Sequence, residues 1–442
     1  MRYSSRQLDI TIGHLIDSLS LICNVPGFSV LDSCGVGHLG SHLLIIGVDP
    51  VENYELEGTA ESVLERTEQL IGRFGLAAVL TLSYDFGLKI NGITKRPKGF
   101  RTSSEPDLFI AAFECLIVHD YDTGVTIISG NESRFDRIEC LLLDSATPHP
   151  KPITEPATVT SNFDKQSYID AVEMIKEFIR RGDTYQTNLT QQLTVEVPIG
   201  LTAFEIFKRL RAQHPAPFGA FIERGGSSVV SASPERFFRI ADNSVTTSPI
   251  KGTIRRGADL DEDQRLRSEL MASEKDRAEN TMIVDLLRND LGRICTYGSV
   301  KVESLCDVEE HPSLFHLVST ISGELRSNVS FSEIIRAVFP CGSITGAPKI
   351  RTMEIIDQIE TADRGLSMGS IGIYIPEGFP GLEPAIQLNV AIRTMVIKDK
   401  RAVFNVGGGI VIDSDPECEF AESMLKAAAL LSAIGCESDQ TT

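Results

Sequence analysis

The sequence predicts an α+β fold with antiparallel sheets, on two observations. Amphipathic helical segments and alternating, strand-like segments interleave without a regular strand–helix–strand rhythm, which argues against a doubly wound parallel sheet. The strand-like runs are also punctuated by hairpin turns, Gly225-Gly226 and Asp242-Asn243 being the clearest. With 442 residues, 42% hydrophobic and 23% charged, the composition is ordinary for a globular protein. The length suits two or three domains or one large two-lobed unit.

Taken in order, "SHLLIIGVDP", "LAAVLTLSYDFGLKI" and "DLFIAAFECLIVHDYDTGVTIIS" read as strands, with "GTAESVLERTEQLIGRFG" between them as a helix. Residues 144–162, "DSATPHPKPITEPATVTSN", hold four prolines and read as an extended connector. They separate an N-terminal region, 1–143, from the larger region 163–436; residues 437–442 form a short tail.

Beyond the connector, Ile169, Val172, Ile175 and Ile179 recur at helical spacing in a capped segment. "YQTNLTQQLTVEVP" alternates like a strand, and "TAFEIFKRLRAQ" is a short helix. "GAFIERGGSSVVSASPERFFRIADNSVTTSPI" reads as hairpins, and "DEDQRLRSELMASEKDRAENTMIVDLLRNDLGRI" as one long helix. "SFSEIIRAVFP" and "APKIRTMEIIDQIE" are further helices; "SIGIYIP" and "AIQLNVAIRTMVIKDKRAVFNVGGGIVI" are strands. A closing helix begins near Ser414 and Glu417, which fit a capping box.

The 42 basic and 61 acidic residues leave a net charge of −19, opposite to the basic footprint of a nucleic-acid binder. Nine widely spaced cysteines without a CxxC argue against a zinc cage or a secreted disulfide frame. The first twenty residues lack signal-peptide design, and no apolar run approaches the ~20 residues of a membrane span. A cytoplasmic protein with no membrane or nucleic-acid partner is expected.

Several residues could carry chemistry. Glu419 and Glu422 share a helix face and could hold a hard cation, or simply favour a helix dipole. Glu279 borders an apolar stripe and could be a ligand or pair with Lys275 or Arg277. "VGGGIVIDSDP" lets backbone approach an anion but is not GxGxxG; a plain strand turn is the alternative. "CGSITGAPK" precedes a helix and could cradle an anion or only cap that helix. His311 and His316 could be core or site residues. Lys251, in "SPIKGTIRRG", could be a solvated charge or an amine nucleophile, which would need desolvation or a neighbouring cation such as Arg255 or Arg256.

Read together, "SASPERFF", "PIKGT", "DRAENTMIVDLLRNDLGRI", "HPSLFHLVSTISGEL", "GSITGAPKIRTMEIID", "LNVAIRT" and "GGGIVIDSDPECEFAES" resemble the chorismate-utilising enzymes, in the family's order. The resemblance is strong over residues ~163–435 and weak before them. It implies a large two-lobed chorismate-binding fold, with antiparallel sheets packed as a sandwich and helices outside. Residues 1–143 would be the part like anthranilate synthase component I, and 163–436 the catalytic region.

By this resemblance, Glu279, Glu419 and Glu422 match the positions that hold Mg²⁺, which neutralises and orients a ring carboxylate. Arg393, with the backbone around Gly407 and Gly409, matches the grip on the other carboxylate. Gly252, Thr253 and Ser343 match further substrate contacts. Glu235 matches the general acid, so burial and nearby acids should raise its pKa. His316 matches an active-site histidine.

Gln186 stands where the water-adding members carry a lysine base. Lys251 stands where anthranilate synthases carry alanine, and lysine there marks aminodeoxychorismate synthase component I. The implied reaction is amination of chorismate at C4 through a covalent Lys251 intermediate, in folate biosynthesis. Ammonia would come from a separate glutamine amidotransferase subunit. Two departures stand out. Ser367 replaces the usual substrate-binding tyrosine, and Val30, Leu31, Asp32 and Ser33 only half match the Leu-Leu-Glu-Ser of tryptophan-binding relatives.

Overall fold

A computed structural model describes residues 3–38, 40–72, 75–96, 105–143, 158–310 and 314–436. Most of the connector (144–157), His311 and the tail lie outside them.

In chain order the N-terminal elements are β1 (Tyr3–Leu8), α1 (Ile12–Ile22), β2 (Ser29–Asp32), β3 (Leu43–Gly47), β4 (Glu52–Leu56), α2 (Ala60–Ile71), β5 (Ala77–Leu82), α3 (Tyr84–Ile90), β6 (Leu108–Phe113), β7 (Cys115–Asp120), β8 (Thr126–Asn131) and α4 (Phe135–Leu143). Then follow β9 (Val159–Ser161), α5 (Lys165–Arg180), β10 (Gln186–Glu196), α6 (Ala203–Gln213), β11 (Phe218–Glu223), β12 (Ser228–Ser233), β13 (Arg236–Ala241), β14 (Ser244–Ser248) and β15 (Ile250–Arg255). The last are α7 (Leu260–Ala272), α8 (Glu274–Gly292), β16 (Lys301–Glu310), β17 (Leu314–Glu324), α9 (Phe331–Val338), β18 (Gly346–Ala347), α10 (Lys349–Ile359), β19 (Ser370–Ile375), β20 (Ala385–Asn389), β21 (Thr394–Lys398), β22 (Arg401–Ile410) and α11 (Pro416–Ile434).

These strands form two antiparallel sheets. One runs β1-β8-β7-β3-β2-β11-β12-β21-β22-β10-β18, with β9 beside β10; the other runs β15-β17-β14-β13-β20-β19-β5-β6-β4, with β16 beside β17. The N-terminal region completes both sheets, since β2 pairs with β11 and β5 with β19. Alternation along the strands sorts the apolar side chains into layers. Val79, Phe109 and Ile373 of one sheet meet Val118, Ile222 and Val229 of the other. The outer faces are covered by α1, α4, α6 and α11 on one side, and by α2, α8 and α9 on the other. This is the α+β sandwich expected.

Local chemistry departs from expectation in three places. Tyr84–Ile90 is a helix rather than a strand, because the Ser83 hydroxyl caps it by accepting from the Phe86 N–H. The long helical pattern is two helices, broken at Ser273, whose extended backbone ends α7 while its hydroxyl caps α8. The closing helix is capped by Asp415, not by Ser414.

Candidate active site

The hinge of the site is a bulge. Ile250 of β15 pairs with Val318 of β17, and Thr253 pairs with His316, so one extra residue lies on the β15 side. Such a bulge re-aims a side chain. Gly252 accommodates it with φ +82°, a region open to glycine without steric cost. The bulge carries Lys251, whose Nζ lies 3.4 Å from the Ser343 carbonyl and 3.9 Å from Glu279 Oε2. The Lys251 and Glu279 side chains are each only 13% exposed.

Glu235 sits in the link between β12 and β13 and is buried. Burial drives its pKa up to about 7, against smaller opposing effects of the Ser343 hydroxyl and the Lys251 charge. Its Oε1 has no hydrogen-bond partner. Across the bulge, Thr253 Oγ1 and His316 Nδ1 lie 2.8 Å apart. Lys251, Glu235, Ser343 and Glu279 therefore share one space, with Thr253 and His316 at its edge.

Two anchors fix this group. Lys349 Nζ donates to Asp290 Oδ2 at 2.5 Å and to the Val338 carbonyl at 2.8 Å, tying the Ser343 loop to α8. Arg364 donates to the Ile344 carbonyl at 2.9 Å and to the Asn188 carbonyl at 2.6 Å while paired with Glu360. Asn280, next to Glu279, bonds the Ser319 hydroxyl and the Leu317 carbonyl, fixing α8 against β17.

The carboxylates of α11 approach from the other side of β22. A Cβ on Gly408 would lie 3.2 Å from Glu419 Oε2 and 3.9 Å from Glu422 Oε1, so glycine lets both reach the strand. The Ser414 hydroxyl donates to Glu419 Oε1 at 2.6 Å, which is its use in place of capping. Burial raises the Glu279 pKa, with Asp276 and Glu419 adding to the rise against Lys251 and Lys275. At Glu422 burial is more than offset by Lys426, Lys275 and Lys251, and the pKa is lowered.

Two cations interleave with these acids. Lys275 Nζ lies 3.8 Å from Glu419, and Lys426 Nζ lies 2.7 Å from Glu422 and 2.9 Å from the Gly407 carbonyl. Lys426 was not foreseen, although its place four residues after Glu422 was the available signal. Arg255 and Arg256 do not serve Lys251: they are turned to Glu262 and Asp263 at the start of α7.

The three glutamates do not close into a tight cage. Among the described residues, the one trio of candidate ligands with all atoms within 4.8 Å of one another is His42, Asp120 and Asp122, in another part of the fold. Glu279, Glu419 and Glu422 still form an all-oxygen donor set, which fits a hard divalent cation that keeps water or substrate oxygens between its carboxylates.

Gly407 and Gly409 lie on the inner face of β22, opposite Thr190 and Asn188. A Cβ on Gly409 would collide with Gln186 Nε2 at 2.0 Å, so the Gln186 amide covers that glycine. Gln186 Oε1 and Asn188 Oδ1 are buried without partners. Arg393 follows β20 with φ +49°, and burial lowers its pKa. Its charge acts on His214, and among the described residues no ion pair links it to the Lys251 group.

Ser367 does not face outward as a tyrosine substitute. Its hydroxyl donates to the Thr394 carbonyl and accepts from the Asn405 N–H, both at 3.1 Å. Leu31, Asp32 and Ser33 line a separate cavity of about 550 Å³, and the Asp32 carboxylate is bound by Arg211 at 2.6 Å and Tyr121 at 2.8 Å.

Comparison with known proteins agrees with this architecture. The chorismate binding enzyme family matches residues 39–432. Anthranilate synthase component 1 3 of Haloarcula marismortui is 36% identical, over 93% of this chain and 86% of its own. Aminodeoxychorismate synthase component 1 of Bacillus subtilis is 34% identical, over 82% of this chain and 78% of its own. The crystal structure of anthranilate synthase component I from Streptococcus pneumoniae superposes with a TM-score of 0.77 at 28% identity, covering 89% of this chain and 93% of that one. The chain belongs to the family of chorismate binding enzymes.

Proposed function

We propose that this chain is an aminodeoxychorismate synthase component I, which aminates chorismate at C4. The relatives bear both this name and that of anthranilate synthase, so overall similarity does not choose between them. The observation that carries the choice is Lys251, held on a bulge within 3.9 Å of Glu279 and acting electrostatically on Glu235. An alanine there, as in anthranilate synthases, would leave that space without an amine.

In this reading the neutral Lys251 amine attacks C2, the ring double bonds shift, and the C4 hydroxyl leaves as water with a proton from Glu235. Ammonia then adds at C4 and the Lys251 amine departs from C2, giving 4-amino-4-deoxychorismate. Passing one proton from Lys251 to Glu235 would create both the nucleophile and the acid. Glu279, Glu419 and Glu422 would hold Mg²⁺, which supplies neutralisation of the ring carboxylate. Arg393 and the backbone at Gly407 and Gly409 would take the second carboxylate. Gly252, Thr253 and Ser343 would position the ring, with His316 at its reacting edge. Gln186 cannot deprotonate water, which disfavours hydroxylation.

A separate glutamine amidotransferase would provide the ammonia, and the pathway would be that of p-aminobenzoate and folate. A cytoplasmic location is part of this reading. Among the described residues no helix is long and apolar enough to cross a membrane. Incubation with chorismate, Mg²⁺ and ammonium, followed by chromatography, tests the proposal. 4-Amino-4-deoxychorismate is expected; anthranilate as the main product would transfer the chain to the anthranilate synthases.

A further inference from the structure

A second cavity, of about 410 Å³, lies further along the inner face of β10, β22 and β21. Its floor is three cross-strand rows. Gln192 stands opposite Asn405; Thr194 opposite Val403, itself opposite Val396; and Glu196 opposite Arg401, itself opposite Lys398. Along the strands the rows are ~7 Å apart. The floor is therefore amide at one end, apolar in the middle and charged at the other, where Lys398 and Arg401 stand with Glu196 and Asp399.

The amide end has a forced orientation. Glu360 Oε1 accepts from the Thr190 hydroxyl at 2.9 Å, so that oxygen is left to accept from Asn405 Nδ2 at 3.1 Å. Asn405 Oδ1 then accepts from Gln192 Nε2 at 3.3 Å, and the same nitrogen donates to the Asp363 carbonyl at 2.7 Å. Gln192 is 1% exposed, and its remaining atom, Oε1, has no partner. Thr194 Oγ1 and Asp363 Oδ1, on the same cavity wall, are also without partners. A buried acceptor left unmatched is costly, so this end calls for a donor. At the other end Lys398 and Arg401 face each other directly and, among the described residues, neither has an ion-pair partner. Like charges set opposite repel, and an anion between them relieves this.

We infer that this cavity binds a flat aminocarboxylate: an amine whose two N–H groups are shared among Gln192, Thr194 and Asp363, an apolar body over Val403 and Val396, and a carboxylate between Lys398 and Arg401. The two ends lie too far apart for groups on adjacent atoms, so the amine and carboxylate sit at opposite ends of the ligand. The site is distinct from the Lys251 group, and its test reads binding rather than turnover, so it stands or falls apart from the proposed reaction.

The probe is 4-aminobenzoate, titrated calorimetrically into the full chain, with benzoate, ethyl 4-aminobenzoate and 2-aminobenzoate as controls. Saturable binding of 4-aminobenzoate is expected, not displaced by chorismate. Each control should bind at least roughly tenfold more weakly, as should 4-aminobenzoate to the surface variant Lys398→Ser/Arg401→Ser. Thr194→Val should weaken it while leaving the charged end intact. Equal binding of benzoate, displacement by chorismate, undiminished binding to the Lys398/Arg401 variant, or no saturation at millimolar probe would each overturn the inference.

Discussion

Lys251 Nζ lies 3.9 Å from Glu279 Oε2, two partly buried opposite charges brought together from a strand bulge and a helix. The two form an ion pair but no direct charge-assisted hydrogen bond, which would need an N···O distance of ~2.7–2.9 Å, so the amine is restrained but not consumed.

Lys251→Ala should therefore leave the fold intact and remove amination at C4. A loss of at least ~100-fold in kcat is expected for deletion of a covalent catalyst, with KM for chorismate changed much less. Steady-state assay with ammonium as the nitrogen source measures both.

Glu235 should set the pH dependence if it acts as the proposed acid. Its folded pKa is about 7 against 4.5 for an ordinary glutamate, so it keeps about half its proton at neutral pH and loses the rest as pH rises further. Activity through this acid should fall above that pH. The sign for stability is the same: a raised carboxyl contributes stability that is fully present below 4.5 and lost as pH rises through about 7. The profile of kcat/KM checks the first effect. Glu235→Gln should abolish the alkaline limb along with most of the rate.

Ser414 is expected to position Glu419. Ser414→Ala removes the 2.6 Å hydrogen bond to Oε1 and should weaken Mg²⁺ binding by roughly 10- to 100-fold, read by calorimetry without substrate. Asp415→Ala, which removes the cap, should instead cost about 1 kcal/mol of stability and leave Mg²⁺ affinity nearly unchanged.

The Arg364–Glu360 pair holds the edge of β10 between its partners β9 and β18. Glu360 Oε1 accepts from the Thr190 N–H at 2.7 Å, and Arg364 takes the Asn188 carbonyl. Arg364→Met strands a buried carboxylate and should cost ~3–5 kcal/mol by chemical denaturation. Gly407→Ala should also destabilise, since its Cβ would fall 1.8 Å from the Leu189 carbonyl oxygen, a backbone atom that cannot swing away.

Much of this was legible in the chain. The antiparallel character followed from turn chemistry at Asp242-Asn243, whose φ angles of +48° and +62° are those of a hairpin turn. Glu235 was expected to have a pKa raised by burial and by nearby acids; burial raises it, but the charge that acts on it is that of Lys251, which lowers it. The misses share a cause: competition between neighbouring polar residues that sequence spacing alone does not rank. Ser83 and Ser273 each captured a helix start inside an apparently continuous pattern. Ser414 and Asp415 are adjacent candidates for one cap, and only the fold, by bringing Glu419 within reach of Ser414, decides between them. The bulge at Lys251 was equally hidden, because register depends on β17, more than sixty residues away.

Intact mass measurement of the protein quenched with chorismate and Mg²⁺ but no ammonia tests the central claim most directly. The account predicts an adduct of chorismate less one water, mapped to Lys251 after proteolysis and lost when ammonium is added before the quench. Formation of 4-amino-4-deoxychorismate at full rate by Lys251→Ala, with no adduct in the wild-type protein, would contradict it.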